Sequence, residues 1–286
     1  MTASVADDKT EVTKWTYNTK IPSYGATGWW DKSAYKEGMV LGDIWGLQFD
    51  RFLTEDDFNA DGSLKAGLPD QTKVFPAGYQ FAPGDVLYKD LDNNGEIVKQ
   101  TNTNDKGDLS VIGNALPRLQ FGLNLDAAWK GFDISMFFQG VAKRKLWAAG
   151  NQVLPGFTTG EPFYKGAEDY WTPENTDAFY PRPMDYKQSA SGNYSVNDRY
   201  LLNMAYLRLK TFTVGYSLPK VWLSKFKVQG LRVYFTGENL FTIDGVKPAI
   251  DPEIGIRTAS GKSDQRNFGR SYPYQKTVSF GIQLSL

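Results

Sequence analysis

The chain has 286 residues, enough for one large or two ordinary domains. Lys+Arg and Asp+Glu both number 32, so the formal net charge is zero and nucleic acid is excluded as an expected partner. With no Cys and no His, thiolate and imidazole metal sites, Cys nucleophiles and His-based triads are excluded as well.

Residues 1–38 form a polar N-terminal segment and turn, rich in Lys, Asp, Gly and Thr. Met1 is followed by TASVADDKTE, with no basic n-region and no apolar h-region, so no signal peptide is expected. If the protein is exported, this chain is mature, truncated or a piece of something longer. Met39 to Leu53 reads as a strand, with Trp45, Leu47 and Phe49 opposite Gly46, Gln48 and Asp50. Residues 54–117 read as a long loop, broken at Asp61-Gly62, Pro69, Pro76 and Pro83.

Arg118 to Ala142 carries the clearest pattern. Leu119, Phe121, Leu123, Leu125 and Ala127 fall on one face, and Gln120, Gly122, Asn124 and Asp126 on the other. After Trp129-Lys130-Gly131, Phe132, Ile134, Met136 and Phe138 alternate with Asp133, Ser135, Phe137 and Gln139. A period of two means strands with an apolar and a polar face, and strand, Gly turn, strand is a hairpin. Each run is long enough to cross a bilayer as a tilted strand, which takes about 9–11 residues.

Residues 143–204 form a second long loop, rich in aromatics. Tyr206 to Leu218 is a strand with two phases: Leu207 and Leu209 fit one, Phe212, Val214 and Tyr216 the other. A bulge near Lys210 reconciles them. Residues 219–230 are a shorter connection with room for a helical turn. Leu231 to Phe241 is a strand, 242–276 a third long loop, and Thr277 to Leu286 a final alternating strand. Connections therefore run long, short, long, shorter, long. Antiparallel neighbours put all the long ones on one side, the asymmetry of an outer-membrane barrel. About six strands are visible.

Several blocks in order resemble the C-terminal part of the SusC/RagA family of TonB-dependent outer-membrane transporters. They are EGMVLGDIWGLQFDRF at 37–52, PGDVLYKDLDNNGEI at 83–97, VIGNALPRLQFGLNLDAAWKGFDISMFFQGV at 111–141, YWTPENTDAFYPRP at 170–183, YLRLKTFTVGYSLP at 206–219 and LRVYFTGENLFTI at 231–243. The resemblance implies an all-β, antiparallel transmembrane barrel of about 22 strands in the bacterial outer membrane. Residues 39–286 would supply about the last six strands and long extracellular loops, with 1–38 as a polar N-terminal segment and periplasmic turn. It also implies import of glycans or peptides, a SusD-like surface lipoprotein as partner, energy from a TonB complex, and a plug and further strands outside this chain. No catalysis is implied.

Asp90-Leu91-Asp92-Asn93-Asn94-Gly95-Glu96-Ile97 fits the opening of a calcium loop, since hard cations take carboxylate and carbonyl oxygens. Thr101 stands where the twelfth-position Glu belongs. Asp105 or Asp108 would close the shell of Asp90, Asp92, Asn94 and Glu96, and the competing reading is a polar Asx turn. Tyr170, Trp171, Phe179 and Tyr180 are candidates to contact substrate or lid, or else pack the loop against itself. Trp129, Trp222 and Trp30 suit an interfacial girdle. Asp126 and Glu238 are polar-face carboxylates that a glycosidase would need about 5–10 Å apart. Lys143-Arg144-Lys145 reads as a solvated strand end or a lipid-headgroup contact. The rival to a barrel is a secreted carbohydrate-binding β-sandwich, with or without calcium. The two differ in what covers the apolar faces: acyl chains in a barrel, a second sheet in a sandwich.

Overall fold

The structure is a computed structural model. It describes residues 1–15, 37–102, 105–148, 150–157, 163–184, 192–226, 228–247, 250–253, 258–259, 262–263 and 272–286. Trp30 lies outside the described residues.

One antiparallel sheet forms a wall. Its strands are β1 (Thr2–Ala6), β2 (Arg118–Trp129), β3 (Phe132–Lys143), β4 (Tyr206–Ser217), β5 (Gly230–Glu238), β6 (Thr242–Asp244) and β7 (Thr277–Ser285). The order is β1-β2-β3-β4-β5-β7, with β6 continuing alongside β4 beyond β5. Strand β1 belongs to the polar N-terminal segment, where sequence alternation is too short to announce it. It pairs Thr2 with Asn124 and Ala6 with Gln120.

The β2–β3 hairpin turns on Lys130 and Gly131, at φ 47° and 88°. Two consecutive left-handed residues make the mirror-image turn whose twist suits paired strands, and Gly131 enters that region without a Cβ clash. The two phases of β4 are joined where expected. Leu209 pairs with Phe138 and Thr211 with Phe137, leaving Lys210 as the extra residue of a bulge. Without it, half of β4 would show its apolar side chains to the polar face.

Three long connections, 7–117, 144–205 and 245–276, leave the same end of the wall. Among the described residues, the other end carries the 130–131 turn and the connection 218–229, which holds helix α1 (Lys220–Leu223).

The long connections fold into a layer with two apolar cores. One gathers Ile44, Trp147, Leu154, Tyr180, Tyr200 and Met204; the other gathers Leu47, Val74, Val86, Tyr88, Ile97 and Trp171. The stretch expected as a single strand, Met39 to Leu53, lies here instead. Asp43–Gly46 pairs with Ser110–Asn114, and Phe49–Phe52 with Val86–Tyr88. Met39, Ile44, Leu47, Phe52 and Leu53 are buried here, and Trp45 and Phe49 are half-buried against the second core.

Candidate functional site

Cross-strand register carries each face across the wall. Leu123 pairs with Phe138, Leu125 with Met136 and Ala127 with Ile134. Met136 then pairs with Phe212, and Ile134 with Val214. Val214 pairs with Phe235, and Phe235 with Phe280. One face therefore presents Leu, Phe, Met, Ile, Val and Ala from edge to edge, with no ionisable side chain at these paired positions. Phe280 is 83% exposed and Ile282 74%. Phe121 and Ile134 are only part-buried by wall neighbours, and neither belongs to the loop-layer cores. Among the described residues, no second sheet covers this face; the other sheets are two-stranded ribbons. A sandwich buries such a face at core density, so the sandwich reading fails here.

The opposite face is hydrophilic. Ser135 donates to Asp126 at 2.7 Å, and Thr213 and Thr236 hydroxyls meet at 3.2 Å. Arg232 donates through Nε to Asp133 at 2.9 Å across the sheet. Asp126 and Glu238 lie on β2 and β5, three strand spacings or about 14 Å apart, too far to work as a glycosidase pair.

Toward the loop end, Arg208 is 4% exposed on the polar side of β4. It donates to Thr242 Oγ1 at 2.7 Å and to Asp251 at 2.8 Å, and its Nη1 lies 3.0 Å from Glu253. The bulge sends Lys210 to the same carboxylate, 2.9 Å from Glu253 Oε2. The third long connection is thereby fixed to the wall by charges that each have a partner, as burial requires. Sequence gave little sign of this group beyond an Arg and a Lys set into the strand LRLKTF.

At the other end, Trp129 is 70% exposed and Trp222 60%. Phe132 and Tyr216 rings pack at 4.5 Å and Lys130 lies over Trp129. Amphipathic rings at the rim of an apolar band suit headgroup depth.

The four loop aromatics have different surroundings. Trp171 is 7% exposed in a core and sits against Gly84, where a Cβ would come within 2.5 Å of its ring. Tyr180 is 3% exposed and donates to the Val153 carbonyl at 2.9 Å. Burial pushes its phenol up to about 12. Phe179 packs edge-on to Tyr180 and Tyr200 and is part-buried. Tyr170 is the most open of the four, at 40%. Tyr170 and Tyr180 line a cleft of about 410 Å³ with Phe163, Tyr164, Pro181 and Tyr194. Phe163 and Tyr164, absent from the sequence-derived candidates, are among its more exposed rings.

Two buried clusters hold this layer. Asp85 is fully buried and accepts from Arg182 Nε at 2.8 Å, Tyr79 at 2.8 Å and Asn193 at 2.9 Å. Gln71, also fully buried, donates to the Val86 carbonyl and accepts from the Tyr88 amide.

In the Asp-rich loop, oxygens of Asp90, Asp92 and Asp108 lie within 4.8 Å of one another. Asp108 is buried and takes the Leu91 and Val98 amides at 2.7 and 2.8 Å, so it is the later carboxylate that meets the loop. Asn94 Oδ1 accepts the Glu96 amide, while the Glu96 carboxylate is ion-paired to Lys73. Asp105 lies in the short strand Asp105–Gly107, and its side chain is outside the described ones.

Comparison with known proteins follows the same outline. No family model matches the chain. It is 29% identical over 258 residues to TonB-dependent receptor P3 of Formosa agariphila, covering 87% of this chain and 22% of the relative. It is 32% identical over 200 residues to TonB-dependent receptor P26 of the same organism, covering 68% and 19%. With TonB-dependent receptor SusC of Bacteroides thetaiotaomicron the identity is 25% over 242 residues, covering 81% and 22%. The chain thus spans about a fifth of the length of these relatives. Among solved structures, the RagAB peptide transporter superposes with TM-score 0.57 at 18% identity, over 99% of this chain and 26% of that one. The RagAB peptide importer in its closed-closed state gives 0.52 at 17%, again covering 99% and 26%.

Proposed function

Because the chain is a partial, C-terminal SusC/RagA-like TonB-dependent receptor of the outer membrane, we propose that it forms one stretch of the barrel wall and outer loop layer of a nutrient importer. The apolar face meets acyl chains. The polar face borders the aqueous path. The long connections stand outside, where substrate and a SusD-like lipoprotein lid are met, and the parent receptor draws its energy from a TonB complex. The cargo is an oligosaccharide or a peptide, the latter being the cargo of the RagAB peptide transporter.

The observation that carries this reading is the charge-free apolar face, over which no second sheet lies among the described residues. A water-soluble protein exposing that much contiguous apolar surface would aggregate. An importer of this kind does no covalent chemistry, so its residues act by shape, desolvation and charge.

This chain has no cysteine, so a single cysteine introduced here reports cleanly once any cysteines in the rest of the parent receptor are replaced by serine. In outer membranes containing the parent receptor, Asn124→Cys, Ser135→Cys and Gln139→Cys should react with a membrane-impermeant maleimide admitted to the lumen. Leu123→Cys, Met136→Cys and Ile282→Cys should be protected, and should be quenched by lipid-borne spin labels once labelled in denaturant and refolded. Equal reactivity of the two sets would defeat the proposal.

The Asp-rich loop fits a hard divalent cation, since three carboxylates converge and a short polar turn surrounds them. We propose that calcium held by Asp90, Asp92 and Asp108 would stiffen this loop. Chelation should then raise protease cleavage between 89 and 109, and Asp108→Asn should abolish that response. If chelator leaves cleavage unchanged in the parent receptor, the loop is a polar turn.

A further inference from the structure

Where β2 and β3 run into the loop layer, a cavity of about 460 Å³ opens among Asp43, Asn114, Arg118, Lys143, Lys145 and Asn203, with Arg144 on its wall. That volume falls within the roughly 300–1,000 Å³ of ligand clefts. It is more basic than the aromatic cleft and shares no lining residue with it.

The charges come from both layers. Arg118 and Lys143 are cross-strand partners at the loop end of the wall. Arg144 and Lys145 continue the chain out of β3. Gly113 lies close against the Lys145 stem, 2.8 Å from where a Cβ would stand to the lysine's own Cβ, which keeps the lysine beside the 110–114 strand. Carboxylates border these cations: Asp43 lines the cavity, and Asp7 and Asp8 lie beside Arg118. Asp43 is occupied by the Asn114 side-chain amide at 3.0 Å and the Val40 amide at 3.2 Å. Asp7 accepts Arg118 Nη2 at 2.7 Å and the Leu119 amide at 3.1 Å. Arg118 is matched by Asp7, whereas among the described residues neither Lys143 nor Lys145 is in an ion pair, so these two ammonium groups carry the positive charge of the cavity. Lys143 is exposed, and Lys145 is half-buried. At the edge of the cavity Asp7 is a planar oxyanion gripped by a guanidinium and a backbone amide together.

By alternation, Lys143 follows Phe137, Gln139 and Val141 on the polar side of β3, the side proposed to border the aqueous path. A phosphate on a membrane lipid would approach from the apolar side. We propose that this cleft binds an oxyanion group, a carboxylate or sulfate, carried by a water-soluble substrate at the outer mouth of the path. Lys143 and Lys145 supply the charge, and Asn114 and Asn203 border the group that bears it. This rests on the reading of the polar face as lumen, and it adds a preference for acidic cargo.

The test is amine footprinting of the full parent receptor in detergent, read residue by residue by mass spectrometry. The probes are inorganic sulfate, glucuronate and neutral glucose, at ionic strength matched with chloride. Sulfate and glucuronate should slow acetylation of Lys143 and Lys145 about tenfold, as charge-assisted hydrogen bonds predict. Glucose should not, and Lys130 and Lys220 at the far end of the wall should be unaffected. Lys145→Gln, which leaves the Asp7–Arg118 contact alone, should weaken protection of Lys143 about tenfold. Equal slowing at all four lysines, no slowing, or protection by phosphatidylglycerol micelles but not by the soluble anions would each overturn the proposal. Lost protection with the cysteine pattern intact refutes only the cleft, whereas a lost cysteine pattern refutes the lumen assignment itself.

Discussion

Adding one charge at Met136 gives a sharp test of the wall, because its neighbour in sequence serves as control. A strand rising about 3.3 Å per residue and tilted about 40° climbs roughly 2.5 Å of membrane depth per residue. An apolar band about 25 Å tall then takes about ten residues. Counted from Phe132, at the aromatic rim, the band reaches Val141 and its middle falls at Met136 and Phe137. Met136 lies on the apolar face between Leu125 and Phe212. Met136→Lys therefore puts an ammonium near the bilayer centre, costing about 2–4 kcal/mol, or roughly a 30- to 900-fold fall in the folded-to-unfolded ratio. Ser135→Lys, one residue back, points to the polar face beside Asp126, whose carboxylate takes the Ser135 hydroxyl. There the new charge gains a counter-ion, and the change stays within about 1 kcal/mol. Both are measured by urea unfolding of the parent receptor in phospholipid vesicles, followed by tryptophan fluorescence. Similar losses for the two variants, or a larger loss for Ser135→Lys, would refute the assignment of faces.

Three further outcomes are expected in the loop layer. Gly84→Ala places a methyl at φ 89° within 2.5 Å of the Trp171 ring, so it should destabilise the second core by about 1–3 kcal/mol and open 70–100 to limited proteolysis. Asp85→Ala strips the buried partner from Arg182; a loss of about 3–5 kcal/mol is expected, with Asp85→Asn milder, both read by hydrogen exchange at Val86 and Tyr88. The Arg51 guanidinium beside Asp57 holds that carboxyl down at about 2, against an ordinary 3.8. A lowered carboxyl pKa stabilises the fold above the unfolded value and loses that contribution as pH falls through the folded one. Local protection around 51–58 should therefore weaken by about 2 kcal/mol between pH 4 and pH 2, and Arg51→Gln should flatten the dependence. If Arg51→Gln keeps the same acid response, another group is responsible.

The amphipathic wall was legible in the residues because a strand's side-chain period is two and one face meets a uniform apolar surrounding. Leu123, Ile134, Val214 and Phe280 need no knowledge of their partners to be placed on that face. The same logic located the bulge at Lys210, since two phases in one strand can coexist only if a residue is left over. The alternation of long and short connections fixed which end carries the loops.

The loop layer could not be read this way. Its order comes from contacts between residues far apart in the chain, and no period records them. Val86 meets Asn193, Arg182 meets Asp85, and Arg208 meets Asp251 only once three separate connections converge. The alternation of Met39 to Leu53 reads as one strand, but its two halves pair with different distant segments, Ser110–Asn114 and Val86–Tyr88, and so build the loop layer. Strand β1 is too short and too polar for periodicity to reveal, and only pairing with β2 creates it. Local pattern thus determined the surface shown to lipid, while the buried charges and clefts that would handle cargo were decided by tertiary folding, where a polar group's position depends on which distant partner satisfies it.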